Sequence, residues 1–205
     1  MTSTESAAAK PPLITPTFVL AWVANFCQFL VFYLSVTTMA LYAVESFGAS
    51  DTVGGFASSA FVLGATCMRV FSGWIVDRVG HKKAALTSLV FVTVVAVAYF
   101  FAHNVAVLII VRMVHGAGYA LTSTALMAVA QSVIPHERRA EGTGYFALGT
   151  TLATAFGPAI GLFLANNIGY TTLFAVALGA NIVSLILALV LRYPAEVSSE
   201  KPAFR

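Results

Sequence analysis

Long apolar runs separated by short polar segments dominate the pattern of this chain. A helix needs about 20 apolar residues to cross the hydrocarbon core of a bilayer. Six segments meet that requirement: residues 17–44, 53–76, 84–102, 105–129, 142–164 and 171–191. The connections between them are short, so consecutive helices are expected to be antiparallel neighbours. The pattern predicts an all-α integral membrane protein with six transmembrane helices.

Polar segments that contain proline flank the six predicted spans. Residues 1–16, which include Pro11 and Pro12, are expected to form a disordered cytoplasmic tail. Residues 192–205 are expected to form a cytoplasmic linker or tail rather than a seventh span. The predicted organisation is therefore a six-helix transmembrane bundle over residues 17–191 with a polar segment on each side.

Composition and charge place the predicted bundle in a membrane. Hydrophobic residues make up 59% of the 205 residues and charged residues only 9%, whereas a soluble domain carries about 25% charged residues. Nine of the eleven Lys and Arg residues lie before the first span, after the last, or in the second and fourth connections. By the positive-inside rule, both termini are expected in the cytoplasm of a multi-pass protein of the cell inner (plasma) membrane. Because the basic residues follow this topology, they do not indicate nucleic-acid binding.

The sequence offers no candidate metal site or cofactor. Its two cysteines, Cys27 and Cys67, fall inside predicted spans, and two such residues define neither a disulfide framework nor a metal cluster. They are expected to pack as small apolar side chains. The sequence also lacks the His-Glu-x-x-His zinc helix and the paired intramembrane aspartates of membrane hydrolases, so no enzyme activity is predicted.

The connection between the second and third spans has an unusual density of charge and glycine. It reads Gly-Trp-Ile-Val-Asp-Arg-Val-Gly-His-Lys-Lys over residues 73–83. Its basic residues complement the negative C-terminal end of the second helix and the anionic inner leaflet. Asp77 has the wrong sign for that position unless a cation or the N-terminus of another helix faces it. Gly73 lacks a Cβ atom and would let a neighbouring helix approach closely.

This connection resembles the loop between helices 2 and 3 of the major facilitator superfamily of transporters. The family pattern there is Gly-x-x-x-Asp-Arg-x-Gly followed by basic residues, and residues 73–83 match it. The resemblance implies that Asp77 braces the two halves of a transporter against each other on the cytoplasmic side. In that role Gly73, Arg78, Gly80 and Lys82 belong to the same conformational brace.

The fourth span carries a charge inside the membrane, in the run Arg112-Met-Val-His115-Gly-Ala-Gly-Tyr119. Intervals of three and four residues place Arg112, His115, Tyr119 and Thr122 on one helical face, and an intramembrane charge is a functional candidate by default. The run resembles the family's Arg-x-x-x-Gly-x-Gly signature of helix 4, which implies a role in proton or substrate coupling. Two alternatives stay open: Arg112 reaches the outer interface with its long side chain, or His115 is a structural histidine.

The fifth span carries small residues at intervals of four: Gly149, Ala153, Gly157 and Gly161. Such a stripe permits close helix packing, and Pro158 is expected to bend the helix because it breaks the hydrogen-bond ladder. The span resembles the antiporter signature of helix 5 in the family, which implies an exporter that exchanges its substrate for protons. The alternative is a kinked packing helix without a special role.

Polar and aromatic residues share one predicted face of the first span: Asn25, Gln28, Phe32 and Ser35. Helices 1 and 4 line the central cavity in the family, so the resemblance makes this face a candidate substrate wall. The alternative is hydrogen bonding and packing between helices. No Asp or Glu lies deep within any of the six spans. A proton-coupled mechanism would therefore use His115, a peripheral acid or a group from a second half.

Together these resemblances imply the N-terminal six-helix half of a major facilitator transporter, built from two inverted three-helix repeats. The drug and metabolite–proton antiporters are the branch that the signatures fit best. The expected function is efflux of a small organic molecule by proton antiport with alternating access. The expected partners are that substrate, protons, the lipid bilayer and a second six-helix half, either a C-terminal half or a second copy of this chain. The alternative is a six-helix membrane partner without transport activity, or an inactive truncated half.

Overall fold

The computed structural model describes residues 11–193, which form six helices that run back and forth in one bundle. The helices are α1 (Pro16–Phe47), α2 (Asp51–Val79), α3 (His81–Val97), α4 (Val105–Val133), α5 (Arg139–Asn167) and α6 (Tyr170–Val190). Short 3-10 turns at Ala98–Phe101 and His136–Arg138 follow α3 and precede α5. All six helical segments are long and apolar enough to cross a membrane. The predicted all-α bundle of six transmembrane helices is confirmed.

The two polar segments of the predicted organisation are only partly covered by the structure. The expectations for residues 1–10 and 194–205 lie outside the described residues. Just before α1, Leu13 is buried in an apolar cluster with Ile134. The carbonyl of Pro11 accepts a hydrogen bond from Nη1 of Arg138 at 3.0 Å. This short stretch therefore packs on the bundle.

Polar caps, rather than the limits of the apolar runs, set where several helices begin and end. The side chains of Thr15, Ser50 and Asn104 accept hydrogen bonds from backbone N–H groups in the first turns of α1, α2 and α4. Such caps satisfy donors that have no partner inside the helix. Gly48 ends α1 in the left-handed conformation, with φ 63°. Four of the described helices, α1, α2, α4 and α5, therefore extend a few residues beyond the spans predicted from hydropathy, whereas α3 and α6 end before their predicted limits.

Hydrogen bonds between distant residues define the two ends of the bundle. At one end the Thr17 hydroxyl donates to the carbonyl of Arg192 at 3.2 Å, which joins the start of α1 to the segment after α6. At the other end the Tyr170 hydroxyl donates to the Glu45 carboxylate at 2.8 Å, which joins the start of α6 to the end of α1. The connections after α2 and α4 therefore lie at the same end of the bundle as the start of α1 and the end of α6.

The interfaces between helices follow the symmetry of two three-helix repeats. The two most extensive interfaces are α2 with α4 and α1 with α5, and these pairs are equivalent if α1–α3 correspond to α4–α6. The interfaces of α3 with α4 and of α6 with α1 form a second equivalent pair of nearly equal extent. The symmetry is broken where α1 packs on α2 far more extensively than α4 packs on α5. This pairing is typical of inverted repeats within a transporter half.

Two glycines bring α2 and α4 into backbone contact. A Cβ atom on Gly64 would lie 1.9 Å from the carbonyl oxygen of Met113. A Cβ atom on Gly116 would lie 1.9 Å from the carbonyl oxygen of Phe61. Real side chains never approach a backbone oxygen so closely, so only glycine fits at either position. The reciprocal pair fixes the most extensive interface of the bundle.

Large apolar side chains cover the outward faces of α2 and α5. On α2, Val70, Phe71 and Trp74 are each more than half exposed, and Phe156 and Phe163 are equally open on α5. α2 and α5 do not contact each other within the described residues. Surfaces of this kind are stable against lipid or against another apolar bundle.

Candidate functional site

The guanidinium of Arg112 lies in the interior of the bundle, and its residue has no exposed surface. Nε donates to the carbonyl of Ala57 at 3.2 Å, and Nη2 donates to the carbonyl of Ser58 at 2.8 Å, both on α2. Cζ lies 5.0 Å from the ring centroid of Phe61, within cation–π range. Arg112 therefore points between α4 and α2, and its side chain does not extend to the outer interface.

The charge of Arg112 has no acidic partner in the described part of the chain. Its Nη1 atom is buried without a hydrogen bond of regular geometry, the Tyr99 side chain interacts with the guanidinium, and no carboxylate among residues 11–193 forms an ion pair with Arg112. A charged side chain within a membrane helix costs up to about 2.5–3.5 kcal/mol on insertion scales, the value for the helix centre. A buried donor without a well-aligned hydrogen bond adds up to about 1–3 kcal/mol. The bundle maintains a costly cation that packing alone does not require.

A tyrosine that the sequence analysis did not single out holds His115. The hydroxyl of Tyr99, in the 3-10 turn after α3, lies 3.1 Å from Nδ1 of His115, and both side chains are buried. The imidazole ring lies 5.4 Å from the ring of Phe61, so it adjoins the surroundings of Arg112. Both residues border a cavity of about 10 Å³ that Ser35 also lines. That volume is close to the space that one water molecule needs.

Tyr119 belongs to a group of rings from three helices, named here the aromatic cluster. Its members come from α1, α2 and α4: Phe29, Phe32, Tyr33, Phe61 and Tyr119. The Tyr119 ring lies 5.6, 5.8 and 5.2 Å from the rings of Phe29, Phe32 and Phe61. Phe61 and Tyr119 are buried, whereas the three rings of α1 are half-buried. The cluster thus brings two predicted residues, Phe32 and Tyr119, close to the ring beneath Arg112.

The predicted polar face of α1 is divided between two environments. Gln28 turns toward α6, where its Nε2 donates to Oδ1 of Asn181 at 3.1 Å. Asn25 is buried, and its Oδ1 has no hydrogen-bond partner among the described residues. Phe32 instead packs 5.1 Å from Phe61 in the aromatic cluster. Gln28 therefore makes an interhelical hydrogen bond, while Phe32 lies with the residues around Arg112.

The charged connection after α2 turns at a single residue, Gly80. This glycine caps the end of α2 and immediately precedes α3, with φ 92° and ψ 147°. Arg78 lies over the ring of Trp74 at 5.3 Å, and Lys82 lies over the ring of Tyr193 at 5.8 Å. Burial raises the pKa of Tyr193 to about 12, so this ring remains a neutral phenol beside the ammonium group.

Asp77 and Gly73 face away from the described bundle. Asp77 is exposed and has no hydrogen bond or ion pair with any residue from 11 to 193. A Cβ atom on Gly73 would meet no atom within 4 Å. An acid at the negative end of a helix is unfavourable without a partner. This part of the predicted brace therefore presents an open surface.

Two glycines of α5 lie against the backbone of α1. A Cβ atom on Gly157 would lie 2.5 Å from the Cβ atom of Tyr33, and one on Gly161 would lie 2.4 Å from the carbonyl oxygen of Leu34. If α1–α3 correspond to α4–α6, this contact between α1 and α5 is equivalent to the contact between α4 and α2. The small residues of α5 serve close packing between α1 and α5.

Gly149 and Pro158 shape the rest of α5. Gly149 leaves room for the indole of Trp22, which would lie 3.2 Å from an added Cβ atom. The indole Nε1 of Trp22 donates to the carbonyl of Tyr145 at 2.9 Å. The helix continues through Pro158, whose missing N–H group leaves one carbonyl of the preceding turn without its helical partner.

Three residues of the site were missed by the sequence analysis: Tyr99, Phe61 and Asn181. Each contacts a residue that was predicted. Asn181 is a buried amide in an apolar span, and that signal alone could have identified it. Tyr99 and Phe61 carry no comparable signal, because aromatic residues make up 12% of the chain and only the fold selects among them.

The fold and the buried arginine define the class of this protein. A six-helix membrane bundle with paired three-helix repeats, an internal cation and open apolar faces is the architecture of one half of a secondary transporter.

Comparison with known proteins identifies the family. The profile of the Major Facilitator Superfamily matches residues 21–205, and the chain belongs to that superfamily. The resemblance found in the three sequence signatures is thereby confirmed. Membership also assigns the chain to a family of transporters rather than of enzymes.

Curated relatives include export proteins of bacteria. The chain is 31% identical over 133 residues to the staphylopine export protein of Staphylococcus aureus, covering 64% of this chain and 32% of that protein. It is 30% identical over 161 residues to the multi-drug resistance efflux pump PmrA of Streptococcus pneumoniae, covering 76% of this chain and 39% of the pump. An uncharacterised MFS-type transporter of Bacillus subtilis, YwoD, is 28% identical over 156 residues, covering 76% and 34%. The matched part of the chain thus spans about a third to two fifths of the length of these relatives.

Proposed function

We propose that this chain forms the N-terminal six-helix half of a secondary transporter that exports a small organic molecule in exchange for protons. Membership of the superfamily supports transport. Relatives named as an export protein and an efflux pump support the outward direction. The antiporter-like signature of α5 supports exchange against protons.

The buried charge of Arg112 is the observation that carries the proposal. Two backbone carbonyls hold Nε and Nη2, Nη1 has no hydrogen bond of regular geometry, and no carboxylate among the described residues neutralises the charge. A cation in this state attracts an anion, a carboxylate or a proton-releasing group from whatever occupies the adjacent space. Transport coupling uses such a charge, because its interactions change when substrate or protons bind. A membrane partner without transport activity would not require the buried charge of Arg112.

Alternating access requires a second six-helix half, and the open brace supports one. Asp77 and Gly73 lie at an exposed helix end without contacts among the described residues. A helix N-terminus on a second half would supply the positive end that Asp77 lacks. The aspartate would then stabilise one of the two alternating states, and its release would accompany the other.

The topology follows from the distribution of charge between the two ends of the bundle. The end that carries the connections after α2 and α4 also carries the basic residues of those connections. We infer that this end faces the cytoplasm, with both termini, and that the protein lies in the inner (plasma) membrane.

The test is an export assay in an efflux-deficient bacterial strain that expresses the transporter. Accumulation is measured for a panel of aromatic compounds: cationic ethidium, neutral N-phenyl-1-naphthylamine and anionic 1-naphthoate. Expression is expected to lower accumulation of at least one compound, and a protonophore is expected to abolish the difference. Replacement of Arg112 by Gln should reduce export at least about tenfold, the loss that follows when an interaction worth about 1.4 kcal/mol is removed.

The matched control is Lys83→Gln, which removes an exposed cation outside the membrane interior. It should export normally at an equal protein level. Arg112→Lys should not restore export, because an ammonium group cannot reproduce the forked contact with two carbonyls. Full export by Arg112→Gln would contradict the proposed coupling role. Absence of export of every compound would favour the alternative of a partner without transport activity.

A further inference from the structure

We propose that Arg69 and the aromatic cluster form the recognition surface for substrates that join an aromatic body to a carboxylate or a similar anion. This inference rests on the proposed function and adds to it the chemical class of the substrate.

Arg69 lies about two helical turns beyond Phe61, the member of the aromatic cluster on α2. Ala65, one turn earlier on the same face of α2, packs in the same buried group as Tyr119. Nη2 of Arg69 approaches the hydroxyl of Ser123 at 3.5 Å. Ser123 follows Tyr119 by one turn on α4, so Arg69 continues the surface that the rings begin.

Most N–H donors of the Arg69 guanidinium have no hydrogen-bond acceptor among the described residues. The 3.5 Å contact with Ser123 is at the limit of a hydrogen bond, and the side chain is exposed. Within residues 11–193 no carboxylate pairs with it. A guanidinium offers five N–H donors in a planar fork that matches a carboxylate with two parallel hydrogen bonds.

The charges around the cluster are of one sign. Arg112 stands over Phe61 on one side of the cluster, and Arg69 lies eight residues farther along α2, ~12 Å for a helix. The acidic residues of the described chain all lie at or near helix ends: Glu45, Asp51, Asp77, Glu137 and Glu141. A surface that presents one cation, has a second cation buried against one of its rings and has no nearby acid attracts anions.

The α1 rings of the aromatic cluster supply an apolar surface for a flat molecule. Phe29, Phe32 and Tyr33 are half-buried, with ring centroids 4.8 Å apart for Phe32 and Tyr33 and 6.5 Å apart for Phe29 and Tyr33. Half-buried aromatic rings gain burial when another aromatic group packs on them. Apolar walls with few polar groups that fix orientation are typical of small-molecule sites. The two features together favour an amphipathic aromatic anion over a cation.

An anionic lipid headgroup is the other anion that an exposed arginine of a membrane helix can meet. Two observations favour the substrate. Nη2 is turned toward Ser123, which is buried at the interface of α2 with α4, and the adjacent Met68 packs on the buried group that contains Tyr119. The exposed side chain of Arg69 is therefore directed toward α4.

The test is equilibrium binding to the purified protein in nanodiscs of phosphatidylcholine, which carry no net charge. The probes are 1-naphthoate and 1-naphthalenemethanol, which share one ring system and differ in charge. We expect naphthoate to bind about tenfold more tightly, a difference of about 1.4 kcal/mol. Arg69→Gln should abolish this preference and leave the affinity for the alcohol within about twofold, whereas Arg69→Lys should keep part of it.

Phe29→Leu serves as the complementary variant, because it removes a ring and no charge. It should weaken both probes to a similar extent, and Lys83→Gln should weaken neither. Equal affinities of the two probes for the unmodified protein, or a preference that survives Arg69→Gln, would overturn the inference. A preference for naphthoate that disappears when anionic phosphatidylglycerol is added, with export unaffected by Arg69→Gln, would assign Arg69 to lipid and also overturn it.

The two proposals fail in different ways. If cationic or neutral compounds are exported normally and naphthoate shows no dependence on Arg69, the substrate class is wrong and the transport function stands. If naphthoate binding depends on Arg69 but no compound is exported, the recognition surface stands and the transport function fails.

Discussion

Single residues in the interior of this bundle divide into polar groups with partners and polar groups without them. Gln28 and His115 each meet a side chain on another element of the bundle. Three polar groups are buried without a regular hydrogen bond to any described residue: Nη1 of Arg112, Oδ1 of Asn25 and the hydroxyl of Thr37. Unpaired polar groups are costly in a membrane protein, so these three positions are where water, substrate or a second half would contribute most.

The hydroxyl of Tyr99 is predicted to stabilise the fold through His115. Tyr99→Phe leaves the buried Nδ1 without its partner and should cost about 0.5–2 kcal/mol. The expected result is a lower midpoint of thermal unfolding in mild detergent. Tyr42→Phe is the matched control, because the Tyr42 ring also packs on Phe174 while its hydroxyl has no hydrogen bond among the described residues. Equal midpoints for the two variants would show that the hydroxyl does not matter.

At the scale of helices, the sequence predicted the number, type and order of the elements because a membrane imposes one requirement on each of them. Twenty or so apolar residues are needed to span it, and hydropathy detects that directly. Several helix ends were displaced by a few residues, since caps such as Thr15 and Ser50 are local polar effects. The site was predicted only in part. Arg112 is detectable as a charge, but its contact with Phe61 depends on how α2 and α4 pack.

The backbone contact between α2 and α4 predicts a sharp difference among glycines. Gly64→Ala and Gly116→Ala each place a Cβ atom 1.9 Å from a backbone oxygen and should destabilise the bundle by about 3 kcal/mol or more. Gly55→Ala and Gly179→Ala are the controls, since an added Cβ atom there meets nothing within 4 Å. These two should be neutral or more stable by up to about 1 kcal/mol. Thermal midpoints and the yield of monodisperse protein check the prediction, which fails if all four variants behave alike.

Two glycines with positive φ predict a second contrast: Gly48, at the end of α1, and Gly80, between α2 and α3. Gly48 has φ 63° and ψ 27°, a left-handed conformation that asparagine also adopts. Gly80 has φ 92° and ψ 147°, outside that region and close to one that only glycine occupies. Gly48→Asn should therefore cost little, while Gly80→Asn should cost about 1–3 kcal/mol. Unfolding measured side by side would contradict this if the two variants lost equal stability.

The described part of the molecule leaves large apolar side chains exposed on α2 and α5, helices that do not touch each other within residues 11–193. The exposed side chains Val70, Phe71 and Trp74 of α2 lie toward the end with the basic connections, whereas Phe156 and Phe163 of α5 lie toward the opposite end. A second half that covers them would complete the bundle, whether it is a C-terminal half or another copy of this chain. Asp77 marks the position where the two halves would meet.

A crosslink can decide whether a second copy occupies that position. If two copies pair, Asp77 of one should face the start of α5 in the other, near Arg139. In a Cys67→Ser background, which removes an exposed native thiol, Asp77→Cys combined with Ala140→Cys, both exposed positions, should then give a covalent dimer with a short thiol crosslinker in membranes. Gly142 is unsuitable, since a Cβ atom there would lie 2.7 Å from Ile134. Crosslinks confined to single chains, or an Asp77→Cys variant that dimerises without its counterpart, would exclude this arrangement.

Two helices that touch backbone to backbone at two points cannot slide along each other without first separating. We therefore expect α2 and α4 to move as one rigid unit in any conformational change, because they are in backbone contact at Gly64 and Gly116. This rigid unit carries three residues of the site: Arg112, Phe61 and Tyr119. The distances between their side chains should therefore be the same in every conformation of the protein. The proposed alternating access would then expose the site to either side of the membrane by rotation of α2 and α4 as one unit, and not by shear between them.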